Sequence, residues 1–157
     1  MKPIILSSLI ALIALFSVST AVAQSPHLVK KGFGGVNVEG TAICTFGEIS
    51  GLGNLSTFPN VTFQLFATAT FTVTCFNPAN NTAVGQSKQS ADFSSQPITV
   101  TIDANGRASF GTQENQLCTD EITGTCQGNA LTPVVSNIKV ISAYISVNNG
   151  EFIVTLK

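Results

Sequence analysis

From Val61 to Cys75 every second residue is apolar: Val61, Phe63, Leu65, Ala67, Ala69, Phe71, Val73 and Cys75. Thr62, Gln64, Phe66, Thr68, Thr70, Thr72 and Thr74 fill the positions between. A period of two is that of a strand with one buried and one solvated face, and threonine suits the pleated surface. At about 3.3 Å per residue the run would extend roughly 50 Å, well past the usual strand length. A bend at Ala67-Thr68-Ala69 is therefore predicted, either as a bulge in one strand or as two strands that keep one phase.

The same period recurs along the chain, and helical periodicity is hard to find after residue 24. In "VNVEGTAICTF" the even positions carry Val36, Val38, Ala42, Cys44 and Phe46, with Ile43 the exception on the other side. Read this way, Cys44 and Cys75 both lie on apolar faces. In "SAYISVNNGEFIVTL" a two-residue Asn149-Gly150 turn pairs Val147 with Phe152, Ile145 with Val154 and Ala143 with Leu156. Every pair is apolar, and Asn-Gly favours a type I′ turn. In "PITVTIDANGRASFG" a two-residue turn would mix the faces. A three-residue loop, Ala104 to Gly106, instead pairs Ile102 with Ala108 and Val100 with Phe110 and puts Gly106 in the left-handed position. "GEISGLGNLSTFPN" and the polar stretch Phe76 to Gln96 read as loops, with room in the second for a short helical turn at Ser87–Ser95.

These elements predict about seven to nine strands, at 33–38, 41–48, 60–67, 69–76, 97–103, 107–112, 137–147 and 151–156. The fold class expected is all-β: a two-sheet antiparallel immunoglobulin-like β-sandwich, stabilised by disulfides, with a small closed barrel as the alternative. With no Trp and one Tyr, phenylalanine and branched aliphatics must fill the core.

The first 23 residues stand outside that pattern. Lys2, an apolar run from Ile4 to Val22, and Ala21-Val22-Ala23 form a signal-peptide signature with cleavage before Gln24. A retained membrane anchor is the rival reading. Residues 24–35 are expected to be a flexible N-terminal arm, and 36–157 a single β-sandwich domain. Seven basic and eight acidic side chains, one of them Lys2, leave the mature chain at a formal charge of −2. With no like-charge run longer than two, neither nucleic acid nor insertion of the mature chain in a membrane is expected. Export also explains four cysteines with no Cys-x-x-Cys spacing: they are expected as disulfides in a secreted or cell-surface protein.

"SGLGN" (50–54), "ATATFTVTCFNPANNTAVGQ" (67–86) and "NGRASF" (105–110) come in an order that resembles a loosely defined group of uncharacterised secreted proteins of bacteria and archaea. The resemblance covers roughly residues 40–157 and implies an immunoglobulin-like sandwich, with no activity attached. This chain has Ala79-Asn80 where the group usually has Gly-Gly, and Val84 where it has Pro. "CQGNALTPVV" stands where the group has a Trp-containing segment.

Two disulfide patterns compete. Cys44–Cys75 with Cys118–Cys126 is favoured, because Cys118 and Cys126 bracket a short segment and the other two end on core-facing positions. Cys75–Cys126 with Cys44–Cys118 would instead staple two loops together. Catalysis is not expected. His27 is the only histidine and lies in the arm, and Asp103, Glu114, Asp120 and Glu121 are explained as solvated acids near turns. Asp103, Asn105 and Glu114 have calcium-loop spacing, but Arg107 takes a ligand position and Ala108 the glycine position. No metal or cofactor is therefore expected. Asn54, Asn60 and Asn80 begin glycosylation-type triplets.

Asn77, Asn80, Asn81, Asp120 and Glu121 are the candidate binding-loop residues, in surfaces formed by Phe76–Gln96 and Gly111–Pro133. The expected function is a non-catalytic extracellular structural, adhesive or surface-binding module whose partner is a protein, a glycan or itself. A fibre subunit that adds its arm or final strand to a neighbour is the first alternative, and a small secreted hydrolase the second.

Overall fold

The computed structural model describes residues 25–29, 34–53, 59–79, 81–128 and 130–156. The signal-peptide signature and Asn80 lie outside them. Ten strands follow in order: β1 (His27–Leu28), β2 (Gly34–Glu39), β3 (Ala42–Ser50), β4 (Asn60–Asn77), β5 (Thr82–Ser94), β6 (Ile98–Thr101), β7 (Ala108–Phe110), β8 (Leu117–Cys118), β9 (Thr132–Val147) and β10 (Phe152–Leu156). They form two antiparallel sheets, an all-β architecture consistent with an immunoglobulin-like sandwich. The strand count exceeds the expected seven to nine because β1, β5 and β8 carry no clean apolar alternation.

The first sheet is three rows wide. Ile49 pairs with both Leu28 and Ala108, and Cys44 with both Asn37 and Cys118. Strands β1 and β2 therefore lie in tandem on one side of β3, and β7 and β8 on the other. The second sheet is four rows wide, in the order β10, β9, β4 and then β5 with β6 in tandem. The long alternating run is a single 18-residue strand, β4, paired along most of its length on both sides.

The predicted bend falls where expected, but the extra residues sit on the partner strand. Thr68 faces Ser142 and Ala69 faces Val140, which leaves Ile141 unpaired and exposed on β9. A second irregularity sets Thr70 against Lys139 and Thr72 against Ser136, with Asn137 at φ 52°. Through both, β4 keeps its phase, so Phe63, Leu65, Ala69, Phe71 and Val73 all stay buried.

The final hairpin has the predicted register, Val147–Phe152, Ile145–Val154 and Ala143–Leu156. Asn149 (φ 58°) and Gly150 (φ 98°) both have the positive φ that a type I′ turn requires, and Asn148 before them is left-handed as well (φ 50°). The other predicted hairpin is corrected. Its tight turn exists: Asp103 N–H donates to Arg107 O (2.8 Å), and Gly106 is left-handed at φ 70°. Beyond the turn, β6 pairs with β4 and β7 with β3, so the chain crosses between sheets and Ile102 and Phe110 enter one core from opposite walls. Phe110 meets Phe63 edge-on across that core at 5.6 Å.

The phase predicted for β3 is also corrected. Gly40-Thr41 is a two-residue turn that sets Glu39 opposite Ala42, so even positions on β2 face odd ones on β3. Ile43 and Ile49 are therefore core residues, while Phe46 points outward and is 46% exposed. Cys44 goes with Phe46 onto the outer face. The 24–35 arm is corrected in part: His27 and Leu28 pair with Ser50 and Ile49, and Gly34 and Gly35 begin β2.

Candidate binding surfaces

Disulfides join Cys44 to Cys118 and Cys75 to Cys126, which overturns the favoured pattern. The reason is the phase of β3. Cys44 and Cys118 are directly opposed neighbours on the outer face of the first sheet, whereas Cys75 faces the core from the second. No side chain on the outer face could reach Cys75. Cys126 reaches it because the segment after β8 crosses the end of the core. Along that segment Ile122 and Gly124 are buried, and Gly124 packs against the Val73 methyls, where a side chain would collide.

Two buried hydroxyls let this crossing occur without stranded backbone groups. Ser95 Oγ accepts from Leu65 N–H (2.9 Å) and Thr119 Oγ1 accepts from Ile43 N–H (3.1 Å), while the two residues bridge each other. Each hydroxyl stands in where a ladder partner is missing.

The covering segment ends over the inner face of β5 and leaves a cleft of about 450 Å³. Its floor is Cys75. Ser87 and Gln89 line it from β5, and Thr125, Gln127 and Leu131 line it from the covering segment. Gln89 Nε2 donates to Thr125 O (3.0 Å), tying the two walls together. The lining holds amides, hydroxyls and apolar groups and no ionisable side chain. The two stretches expected to form binding surfaces do meet here, but through a strand and not a loop. Residues 82–94 are β5, and the loop shrinks to a turn in which Asn81 (φ 51°) donates its N–H to Asn77 O (2.7 Å) and Asn77 Oδ1 caps Ala79 N–H. Asn77 and Asn81 thus shape a turn beside the cleft and do not line it. Asp120 and Glu121 are exposed on the covering segment and are not among its lining residues either.

A second surface lies on the outer face of the second sheet. Phe66 and Tyr144 stack as cross-strand neighbours at 5.1 Å and 12°. With Gln64, Ser146, Asn149 and Ile153 they line a shallow groove of about 270 Å³. Aromatic stripes on polar-face positions break the alternation, and Phe66 within β4 is the sequence signal that marks this groove.

The remaining candidates stay apart. His27 Nδ1 donates to Ser25 O (2.8 Å), and its Nε2 lies 2.9 Å from Ser50 Oγ, an exposed contact that fastens β1 to the end of β3. Asp103 Oδ1 accepts the N–H groups of Asn105 (2.8 Å) and Arg107 (2.9 Å), which fills the role that the calcium spacing suggested. The Arg107 backbone bond, more than any other contact, holds the Asp103 carboxyl below the ordinary carboxylate value. Arg107 also reaches Glu48 at 3.3 Å. Glu39 lies near the Cys44 and Cys118 sulfurs, but both thiols are consumed by their disulfide. The "SGLGN" and "NGR" motifs touch: Leu52 N–H donates to Gly106 O (3.1 Å), and the Gly53 carbonyl packs where a Gly106 side chain would stand.

No family model, no curated protein and no solved structure matches the chain. Two disulfides fit an oxidising compartment, and no helix among the described residues is long and apolar enough to cross a membrane.

Proposed function

We propose that this is a secreted, non-catalytic β-sandwich that binds at the cell exterior as an adhesive or structural module, of the kind its sequence motifs resemble. The cleft above Cys75 carries the reading. Neutral amides and hydroxyls over an apolar floor suit a neutral, hydroxyl-rich or amide-rich partner, a glycan or an extended peptide, and offer no acid or base for bond cleavage. The signal-peptide signature and the disulfides support the extracellular setting.

The test is a glycan and extracellular-peptide binding screen of the disulfide-bonded chain from Gln24 onward. Binding is expected, weakened about tenfold by Ser87→Ala with Gln127→Ala, since two hydrogen bonds are lost. The hydrolase alternative requires a concave, acid-lined pocket, and the exposed Ser50–His27 contact at 2.9 Å is tested beside it. Turnover of a bound glycan, or labelling of Ser50 by a serine-directed phosphonate, would overturn the non-catalytic reading.

A further inference from the structure

We infer that β5 is a docking edge for a second copy of this chain, paired antiparallel with its own counterpart about Ser90. Strand β5 is the outermost row of its sheet and, among the described residues, pairs along its length with β4 alone. From Gly85 to Ser94 it follows β4 residue for residue, with no bulge and no proline, so its far side presents a regular row of backbone donors and acceptors. The one irregularity of the strand lies before that row, at Val84 opposite the Cys75/Phe76 step. Such an edge templates another strand unless it is blocked.

The charges select the partner. Gln86, Lys88, Ser90, Asp92 and Ser94 share the outer face, opposite Thr74, Thr72, Thr70, Thr68 and Phe66. Asp92 accepts from Thr68 Oγ1 (2.7 Å), and Lys88 and Asp92 are not ion-paired with each other. A single lysine on an edge ordinarily repels further strands. Here an acid stands four residues away. If Ser90 faces Ser90 of a second copy, Lys88 faces that copy's Asp92 and Asp92 its Lys88. That one register forms two opposite-charge pairs, and a shift of two residues in either direction loses both. On the inner face the same register sets Gln89 against Ala91 and Ser87 against Phe93, with no like charges opposed. An unrelated strand has no reason to present an acid and a base in that order. The two-fold axis runs perpendicular to the sheets, so the four rows of each copy merge into one eight-row sheet and both Cys75 clefts open on the same side.

The test uses sedimentation equilibrium of the mature, disulfide-bonded chain with charge swaps at two exposed positions. The native chain is expected to dimerise with rising concentration. Lys88→Glu alone sets two acids against two acids, and Asp92→Lys alone two bases against two bases; each should weaken the dimer by about tenfold or more. Mixing the two single variants should restore a one-to-one heterodimer. The introduced acid of one copy then faces the introduced base of the other, and the remaining native pair, Asp92 against Lys88, is kept. Circular dichroism of each variant guards against misfolding, and the mixing result requires both to be folded. A native chain that stays monomeric at millimolar concentration overturns the proposal. So does a dimer indifferent to both swaps, or one that the mixture fails to restore. Capture of an unrelated extended peptide at β5 by a chain that remains monomeric would overturn it too, assigning the edge to a different partner.

Discussion

Strands β5 and β9 flank the same central strand, and both leave an edge toward solvent, yet the two edges are built differently. Only residues 143–147 of β9 are paired with β10, so its stretch from Thr132 to Ser142 has β4 as its partner. That stretch carries Pro133, a left-handed Asn137, Lys139 and the extra Ile141. Proline lacks a donor, and each irregularity turns the backbone groups out of line, so no further strand can follow it. Strand β5 has no proline, bulge or left-handed residue after Val84, and its one lysine, Lys88, is matched by Asp92 four residues on. The same sheet thus closes one edge and keeps the other straight. The comparison teaches that straightness at β5 is a local property, since the twist of β4 that both share did not impose it.

The largest test asks whether the two edges depend on one cover. Strand β5 is tied to the covering segment through Gln89 and Thr125, β9 continues from that segment at Thr132, and the Cys75–Cys126 bond that holds it spans 51 residues. Replacing both cysteines with alanine should lower unfolding free energy by about 4 kcal/mol on the loop-entropy estimate. It should also raise hydrogen exchange in β5 and the first half of β9 together; faster exchange in only one would break the idea of a common cover. The next test separates them. Phe93 is half-buried against Phe71 at 6.0 Å and is the main apolar anchor of β5. Phe93→Ala should cost about 2 kcal/mol, less than a fully buried ring, and loosen β5 while β9 keeps its protection. On the other edge Asn137→Ala should cost about 1 kcal/mol, and Asn137→Gly close to nothing, because only the left-handed backbone is at stake. Equal losses for the two substitutions would mean that the Asn137 side chain, not its backbone, holds the irregularity.

The smallest effect belongs to a control away from both edges. Asp103 is fully exposed, and its carboxyl is held below the ordinary value of 3.8, chiefly by the Arg107 N–H. A lowered folded pKa means that its stabilisation is present above the unfolded value and is lost as pH falls through the folded one. Denaturant melts at about pH 6 and about pH 3 should therefore show a small acid loss that Asp103→Asn removes, with β5 and β9 exchange unaltered. An unchanged acid loss in the variant would assign it to other carboxylates.

Much of this architecture was legible in the chain, and the failures share a cause. Strand β4 and the β9–β10 register could be read because an apolar face meets a core on one side only, so alternation reports orientation. Strand β5 could not. Its outer face is wet, and its inner face looks into a cleft, so "TAVGQSKQSADFS" has no apolar period to betray a strand. The phase of β3 was lost at Gly40-Thr41, where a two-residue turn exchanges odd and even positions. That single parity change carried Cys44 away from the core and with it the expected disulfide pattern. The cleft was half legible: the two stretches were identifiable from their polar composition, but their meeting depends on a crossing segment whose path is set by Cys126, Gly124 and two buried hydroxyls.

The two disulfides also interleave along the chain, since Cys75 lies between Cys44 and Cys118, and Cys118 lies between Cys75 and Cys126. A protease that cuts once anywhere from residue 44 to residue 126 leaves at least one bond spanning the cut, so the two pieces stay joined. Nicks in the Asn77–Asn81 turn or in the covering segment would therefore release no fragment. Such a chain survives a single surface cut in this span as one covalent body.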